Sequence, residues 1–188
     1  MIRASQAKPI VDESVWQRHY LHHKRERYNE KFVLYKEVFE RYLEPGGTCF
    51  EIGFLPGYIL TYLSKHFRYT VSGIDLTPFD ETEVRERMVL DGANVGKLFR
   101  GDFLQFASDE EYDVVCSFGF LEHFSNPEVI IKRHISLLRP EGHWSFPALI
   151  SEARNTSYTA TWTQRTSPIT TSKPWILIGG RELFTRTG

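Results

Sequence analysis

The stretch Thr48–Gly57, TCFEIGFLPG, constrains the fold more than any other part of the chain. An apolar run closes on Glu51, passes a loop carrying Gly53 and Gly57, and opens directly into an amphipathic segment. That order predicts a buried strand, a tight turn and a helix N-terminus. Glycine suits such a loop because it tolerates positive φ and lets backbone approach a ligand. Val71-Ser72-Gly73-Ile74-Asp75 follows as a second strand ending in a carboxylate. Strand, glycine loop, helix, strand and acid form the unit with which open α/β sheets hold the ribose of an adenosine-containing cofactor.

The rest of the pattern extends this unit. Ile59, Leu63 and Phe67 repeat every fourth residue and predict a helix of about three turns. Glu81 to Leu90 reads as a helix with Val84 and Met88 on one face, and Lys97 to Arg100 as a short third strand closed by Gly101-Asp102. Tyr112 to Phe118 is a near-continuous apolar run, expected of a central parallel strand buried on both faces. Asn126-Pro127-Glu128 supplies an N-cap, a proline at the first helical position and an acid matched to the helix dipole. Ile131, Ile135 and Leu138 are expected to face inward. Upstream, Tyr28, Phe32, Tyr35, Phe39 and Leu43 form an apolar stripe, predicting helix from Ser14 to Leu43. Alternating strands and helices predict an α/β fold: a Rossmann-like, doubly wound, mostly parallel sheet with N-terminal helices and incomplete C-terminal strands. The domain boundaries expected are an N-terminal helical cap over 1–45, a cofactor-binding core over 46–150 and an irregular tail over 151–188.

Bulk properties exclude little but point one way. The net charge is −1 and no block of like charge dominates, so neither a nucleic-acid partner nor a membrane is expected. No apolar run reaches membrane-spanning length and no signal-peptide pattern is seen, which leads to a cytoplasmic expectation. Cys49 and Cys116 both sit in apolar strand-like runs and read as buried core residues. The seven histidines show no grouping that would hold a metal, so none is expected.

The glycine loop discriminates between cofactors. A dinucleotide would bring a pyrophosphate to glycines spaced G-x-G-x-x-G, whereas Gly53-Phe54-Leu55-Pro56-Gly57 lacks the middle glycine. Glu51 would repel a pyrophosphate and attract a cationic amine or sulfonium. S-adenosylmethionine meets both that condition and the ribose at Asp75. A nucleotide-binding oxidoreductase remains the disfavoured alternative.

Taken in order, Glu51-Ile52-Gly53, Pro56-Gly57, Gly73-Ile74-Asp75 and Gly101-Asp102-Phe103 resemble the motifs of class I S-adenosylmethionine-dependent methyltransferases. Asp113-Val114-Val115, Phe120-Leu121-Glu122-His123-Phe124 and Leu138-Arg139-Pro140-Glu141-Gly142 extend the resemblance, which covers about residues 46 to 143 and is nearest to the small-molecule type. It implies that Glu51, Gly53 and Gly57 surround the methionyl part and that Asp75 holds the ribose hydroxyls. It further implies that Asp102 accepts from the adenine amino group with Phe103 beside it, and that Leu76 and Phe118 wall the adenosine. Leu55 departs from the family, which usually has a small residue there, and is expected to crowd the site. The acceptor implied is a small molecule. His123, just after the fourth strand, is the best-placed general base, with capping or packing as its equal alternative. Trp16 and Tyr20 are a candidate aromatic lid, with helix packing the commoner role for such a pair.

Beyond His143 the texture changes: nine of 14 threonines fall in the last 45 residues. Two explanations stand, a short natural variant with a loose tail or a reading-frame slip. In the frame starting at the third base of the Gly142 codon, His143-Trp144 forces leucine, and the following codons permit Val-apolar-Ser, the composition of a core strand. A truncated or non-catalytic methyltransferase-like chain is therefore the second functional expectation.

Overall fold

The computed structural model describes Ser14, Gln17, Arg18, Tyr20 and residues 27–33, 35–139, 144–150 and 158–164. Four parallel strands, β1 (Thr48–Ile52), β2 (Thr70–Asp75), β3 (Asn94–Arg100) and β4 (Val114–Ser117), lie in the order β3-β2-β1-β4. The chain moves outward from β1 through β2 to β3, then returns to pair β4 on the other side of β1. The order thus reverses at β1, and such a switch point opens a crevice at the carboxyl ends of the strands. Register is set by direct pairs such as Glu51 with both Gly73 and Cys116.

Burial on both faces explains the apolar strand sequences. On one face Cys49, Leu60, Leu63, Val71, Val84 and Met88 pack with helices α1 (Lys36–Tyr42), α2 (Tyr58–Phe67) and α3 (Glu81–Leu90). On the other, Phe50, Ile52, Ile74 and Val115 meet Ile130, Ile131 and Leu137 around helix α4 (Pro127–Ile135). Phe50 is fully buried, and burying such a ring contributes about 2–3 kcal/mol. The cysteines are free thiols in the first core, 4.0 Å apart.

Three local expectations need correction. The Tyr28–Leu43 stripe is not one helix: a 3-10 turn at Glu30–Phe32 gives way to extended Val33, and Tyr35 is left-handed at φ 66°. The Asn29 side chain accepts from Lys31 N–H, offering the backbone a turn in place of a helix. Phe39 and Leu43 still reach the core. In α4, Ile131 is buried as expected, but Ile135 is 40% exposed and Ile130 and His134 face inward beside Ile131 instead. Asn126 makes no side-chain cap there.

Beyond β4, β5 (Trp144–Ile150) and β6 (Tyr158–Gln164) form a separate antiparallel pair. The parallel sheet therefore stops at four strands among the described residues. A strand thus occupies part of the segment expected to be irregular; residues 151–157 and 165–188 lie outside the described residues. Among the described residues, no helix is long and apolar enough to cross a membrane.

Candidate functional site

A cavity of about 570 Å³ sits at the carboxyl ends of the strands, where the sheet order reverses. Each wall comes from a loop that leaves one strand. Ile52, Gly53 and Leu55 follow β1, and Asp75, Leu76 and Thr77 close β2. Gly101, Asp102, Phe103 and Gln105 follow β3, and Phe118 to Phe120 with His123 and Phe124 follow β4. Backbone bonds fix these strand ends together: Gly53 N–H donates to Ile74 O at 2.8 Å, and Gly101 N–H to Asp75 O at 2.9 Å.

The two aspartates predicted from strand ends share this cavity. Asp75 accepts Leu55 N–H at 3.0 Å and Thr77 N–H at 2.8 Å, one on each carboxylate oxygen. Burial pushes its pKa up, and these amide bonds pull against that shift by favouring the charged form. The Thr77 hydroxyl and the Leu76 amide add to these bonds, so the carboxylate is held from several sides. Asp102 accepts Leu104 N–H at 2.8 Å and the Gln105 amide at 3.1 Å, which closes a turn beneath it. Asp75, largely buried, and Asp102, half-buried, thus stand on adjacent strand ends of one cavity whose apolar lining includes Leu76 and Phe103.

Gly53 meets its requirement directly. Its φ is +76°, and a Cβ there would face the Phe120 ring at 3.6 Å. Phe118 lines the cavity while stacking on Tyr35 at 5.8 Å and meeting Phe39 edge-on at 5.7 Å. His123 ends a 3-10 turn over Leu121–His123 and faces the cavity beside Phe124. Leu55 also lines the cavity. Tyr20 is buried against the same space, with the Arg87 guanidinium bonding both its side chain and the Pro56 carbonyl, the latter at 2.7 Å. Trp16 lies outside the described residues.

Two expected ligand residues stand elsewhere. Glu51 is 2% exposed and does not line the cavity. Alternation along β1 puts it on the same face as Cys49, toward α2, where the Leu60 amide bonds its carboxyl and Oε2 finds no partner. Burial pushes its pKa well above the usual carboxylate range, which favours the neutral acid over a charge facing a cation. Gly57 is also absent from the wall. It caps α2 at φ +95°, and a Cβ there would press on Met88 Sδ at 2.9 Å, so packing is what requires glycine.

Sequence reasoning missed Phe120, Phe124 and, behind the wall, His134. His134 is 1% exposed, with Nδ1 2.8 Å from Ile130 O and Nε2 3.0 Å from the Ser117 hydroxyl. Burial lowers its pKa to about 4. A polar residue in an otherwise apolar helical stripe gave no signal that it faced inward. Among the described residues there is no cluster of potential metal ligands.

A family model described as "Methyltransferase domain" matches residues 20–174. The chain belongs to this methyltransferase family. Its fold is similar to that of a SAM-dependent methyltransferase from Thiobacillus denitrificans in complex with S-adenosyl-L-homocysteine. That likeness has a TM-score of 0.56 at 22% identity, over 72% of this chain and 55% of the other. A SAM-dependent methyltransferase from Geobacter sulfurreducens, also in complex with S-adenosyl-L-homocysteine, gives 0.56 at 20% identity over 82% and 58%. Coclaurine N-methyltransferase, bound to N-methylheliamine and SAH, gives 0.51 at 16% identity over 60% and 34%. The chain thus spans between about a third and three fifths of the length of these structures. No curated protein matches it.

Proposed function

We propose that this chain is an S-adenosylmethionine-dependent methyltransferase acting on a small-molecule acceptor. One observation carries the reading: Asp75 and Asp102, at the ends of adjacent parallel strands, line one cavity with the glycine turn of β1. Asp75 would accept the ribose hydroxyls, Asp102 the adenine amino group, and Leu76, Phe103 and Phe118 would bracket the adenosine. Gly53 would border the methionyl part, while Glu51 and Gly57 act one step back by holding the loop and α2. When bound, the cofactor supplies an electrophilic methyl group on a cationic sulfur. The protein's share is positioning and exclusion of water, for which Tyr20, Phe120 and Phe124 supply apolar wall.

His123 is the group proposed to take a proton from an acceptor that must lose one. Its replacement by alanine is expected to lower kcat by about 100-fold for such an acceptor while leaving cofactor affinity within about twofold. The cofactor assignment is tested by calorimetry with S-adenosylmethionine, S-adenosylhomocysteine and NAD. One-to-one binding of the first two alone supports it, and binding of NAD without the others overturns it.

A second reading, a truncated or non-catalytic methyltransferase-like chain that binds the cofactor weakly or not at all, is favoured by the pairing of β5 with β6 and not with the parallel sheet. Sequencing the coding DNA around Gly142 tests it. An open shifted frame would support it, and an early stop in that frame would count against it.

A further inference from the structure

α4 carries two consecutive polar residues, Arg133 and His134, that point toward the cavity wall from behind. The Arg133 guanidinium donates to Phe103 O from both Nε at 3.2 Å and Nη2 at 3.0 Å, and from Nη2 to Phe106 O at 2.7 Å. It also lies over the Phe103 ring, 5.6 Å from its centroid. His134 meets the same ring edge-on at 5.1 Å while binding Ser117, the last residue of β4. Phe120 approaches Phe103 edge-on from the cavity side at 5.9 Å.

The segment so gripped is anchored in the core by its side chains, Phe103 and Leu104 being buried and Phe106 stacking on Phe50 at 5.6 Å, while Arg133 is the side chain that bonds its carbonyls. Residues 102–106 form a single turn closed by Gln105 N–H to Asp102 O at 3.0 Å and Phe106 N–H to Phe103 O at 3.3 Å. Asp102 is half-exposed on that turn, and both of its oxygens bond within it. The direction of the Asp102 carboxylate therefore depends on the turn, whose rings are fixed by packing and whose Phe103 and Phe106 carbonyls are joined by the planar, forked guanidinium. Lysine could reach one of them at a time.

We propose that Arg133 is the positioning residue for cofactor discrimination, fixing the turn that aims Asp102 at the purine edge. The inference rests on the proposed placement of the adenine amino group at Asp102. Arg133 acts through Phe103 and Asp102 and touches no ligand atom itself. A site built to accept from an amino group rejects an analogue that carries a carbonyl there, since the carboxylate is then left facing oxygen.

The full-length chain is titrated calorimetrically with S-adenosylhomocysteine and with its inosyl analogue, which has the 6-amino group replaced by oxygen. The wild type should prefer the adenosyl ligand by at least about tenfold, and Arg133→Ala should narrow that preference to under about threefold. Arg133→Lys should fall between, which keeps the test alive if the alanine variant does not fold. Weakening of both ligands in proportion, with the preference intact, would mean a merely structural role and overturn the proposal. A wild type that binds S-adenosylhomocysteine without preferring it would overturn it too. A wild type that binds neither ligand would instead bring down the cofactor assignment beneath it.

Discussion

Glu51 and Asp75 are acids at or near the ends of neighbouring strands, both carried by sequence motifs, and they have opposite fates. Glu51 lies within the paired part of β1, where alternation sends its side chain to the helix-covered face and shuts it away from the cavity. Asp75 is the last residue of β2, where the chain leaves the sheet and the carboxylate can turn to the open edge. Burial raises both pKa values, yet Asp75 has an amide on each oxygen and Glu51 has one oxygen with no partner. The contrast separates an acid that shapes the loop from an acid that can meet a ligand. The attraction between Glu51 and a cationic cofactor, expected from the sequence, loses its carrier. The placement of Asp75 and Asp102 takes over its part.

The contrast is sharpened first at Asp75. Replacing it with alanine should weaken S-adenosylhomocysteine binding by about 100-fold in calorimetry, as expected when two hydrogen bonds to a charged group are removed. A loss of less than about fivefold would place the ribose elsewhere.

His134 gives a third buried titratable group, with the opposite pH response. Its folded pKa of about 4 lies below the ordinary 6.5, so the unfolded chain binds more protons between these values. Its contribution is therefore present above about pH 6.5 and is lost as pH falls toward 4. Urea denaturation at pH 7 and pH 5 should show the wild type losing about 2 kcal/mol relative to His134→Gln across that interval. Parallel losses in the two proteins would contradict a neutral, buried imidazole.

Glu51→Gln should have the smallest effect, within about 1 kcal/mol of wild-type stability at pH 6 and within about threefold in cofactor affinity. The sign of its pH response is fixed. A carboxyl whose folded pKa is raised stabilises most at or below its unfolded pKa and loses that contribution as pH rises through the folded one. The glutamine variant should therefore gain on the wild type as pH rises above the ordinary carboxylate range. A large fall in affinity would return Glu51 to the ligand.

What could be read from the sequence followed the strength of each local signal. α3 was found at its observed bounds and β1 to within a residue of its end, because a helical face and an apolar run agree there with cap and turn residues. Asp75 and Asp102 were legible because strand ends on one sheet edge must converge. Strand alternation was available for Glu51 but was outweighed by the motif. The Tyr28–Leu43 stripe does not form one helix, and its spacing could not show this because periodicity cannot register a left-handed residue such as Tyr35. Phe120 and Phe124 were illegible as site residues, since an aromatic after a strand is equally suited to core. Arg133 and His134 were hidden for the converse reason: polar residues on a helix look like its solvated face until partners are seen.

A crystal structure of the chain with S-adenosylhomocysteine addresses the central claim most directly. The ribose hydroxyls should lie within hydrogen-bond distance of the Asp75 carboxylate and the adenine amino group within reach of Asp102, with no ligand atom touching Glu51. A ligand bound outside this cavity, or a nucleoside seated in it without contact to Asp75, would contradict the account.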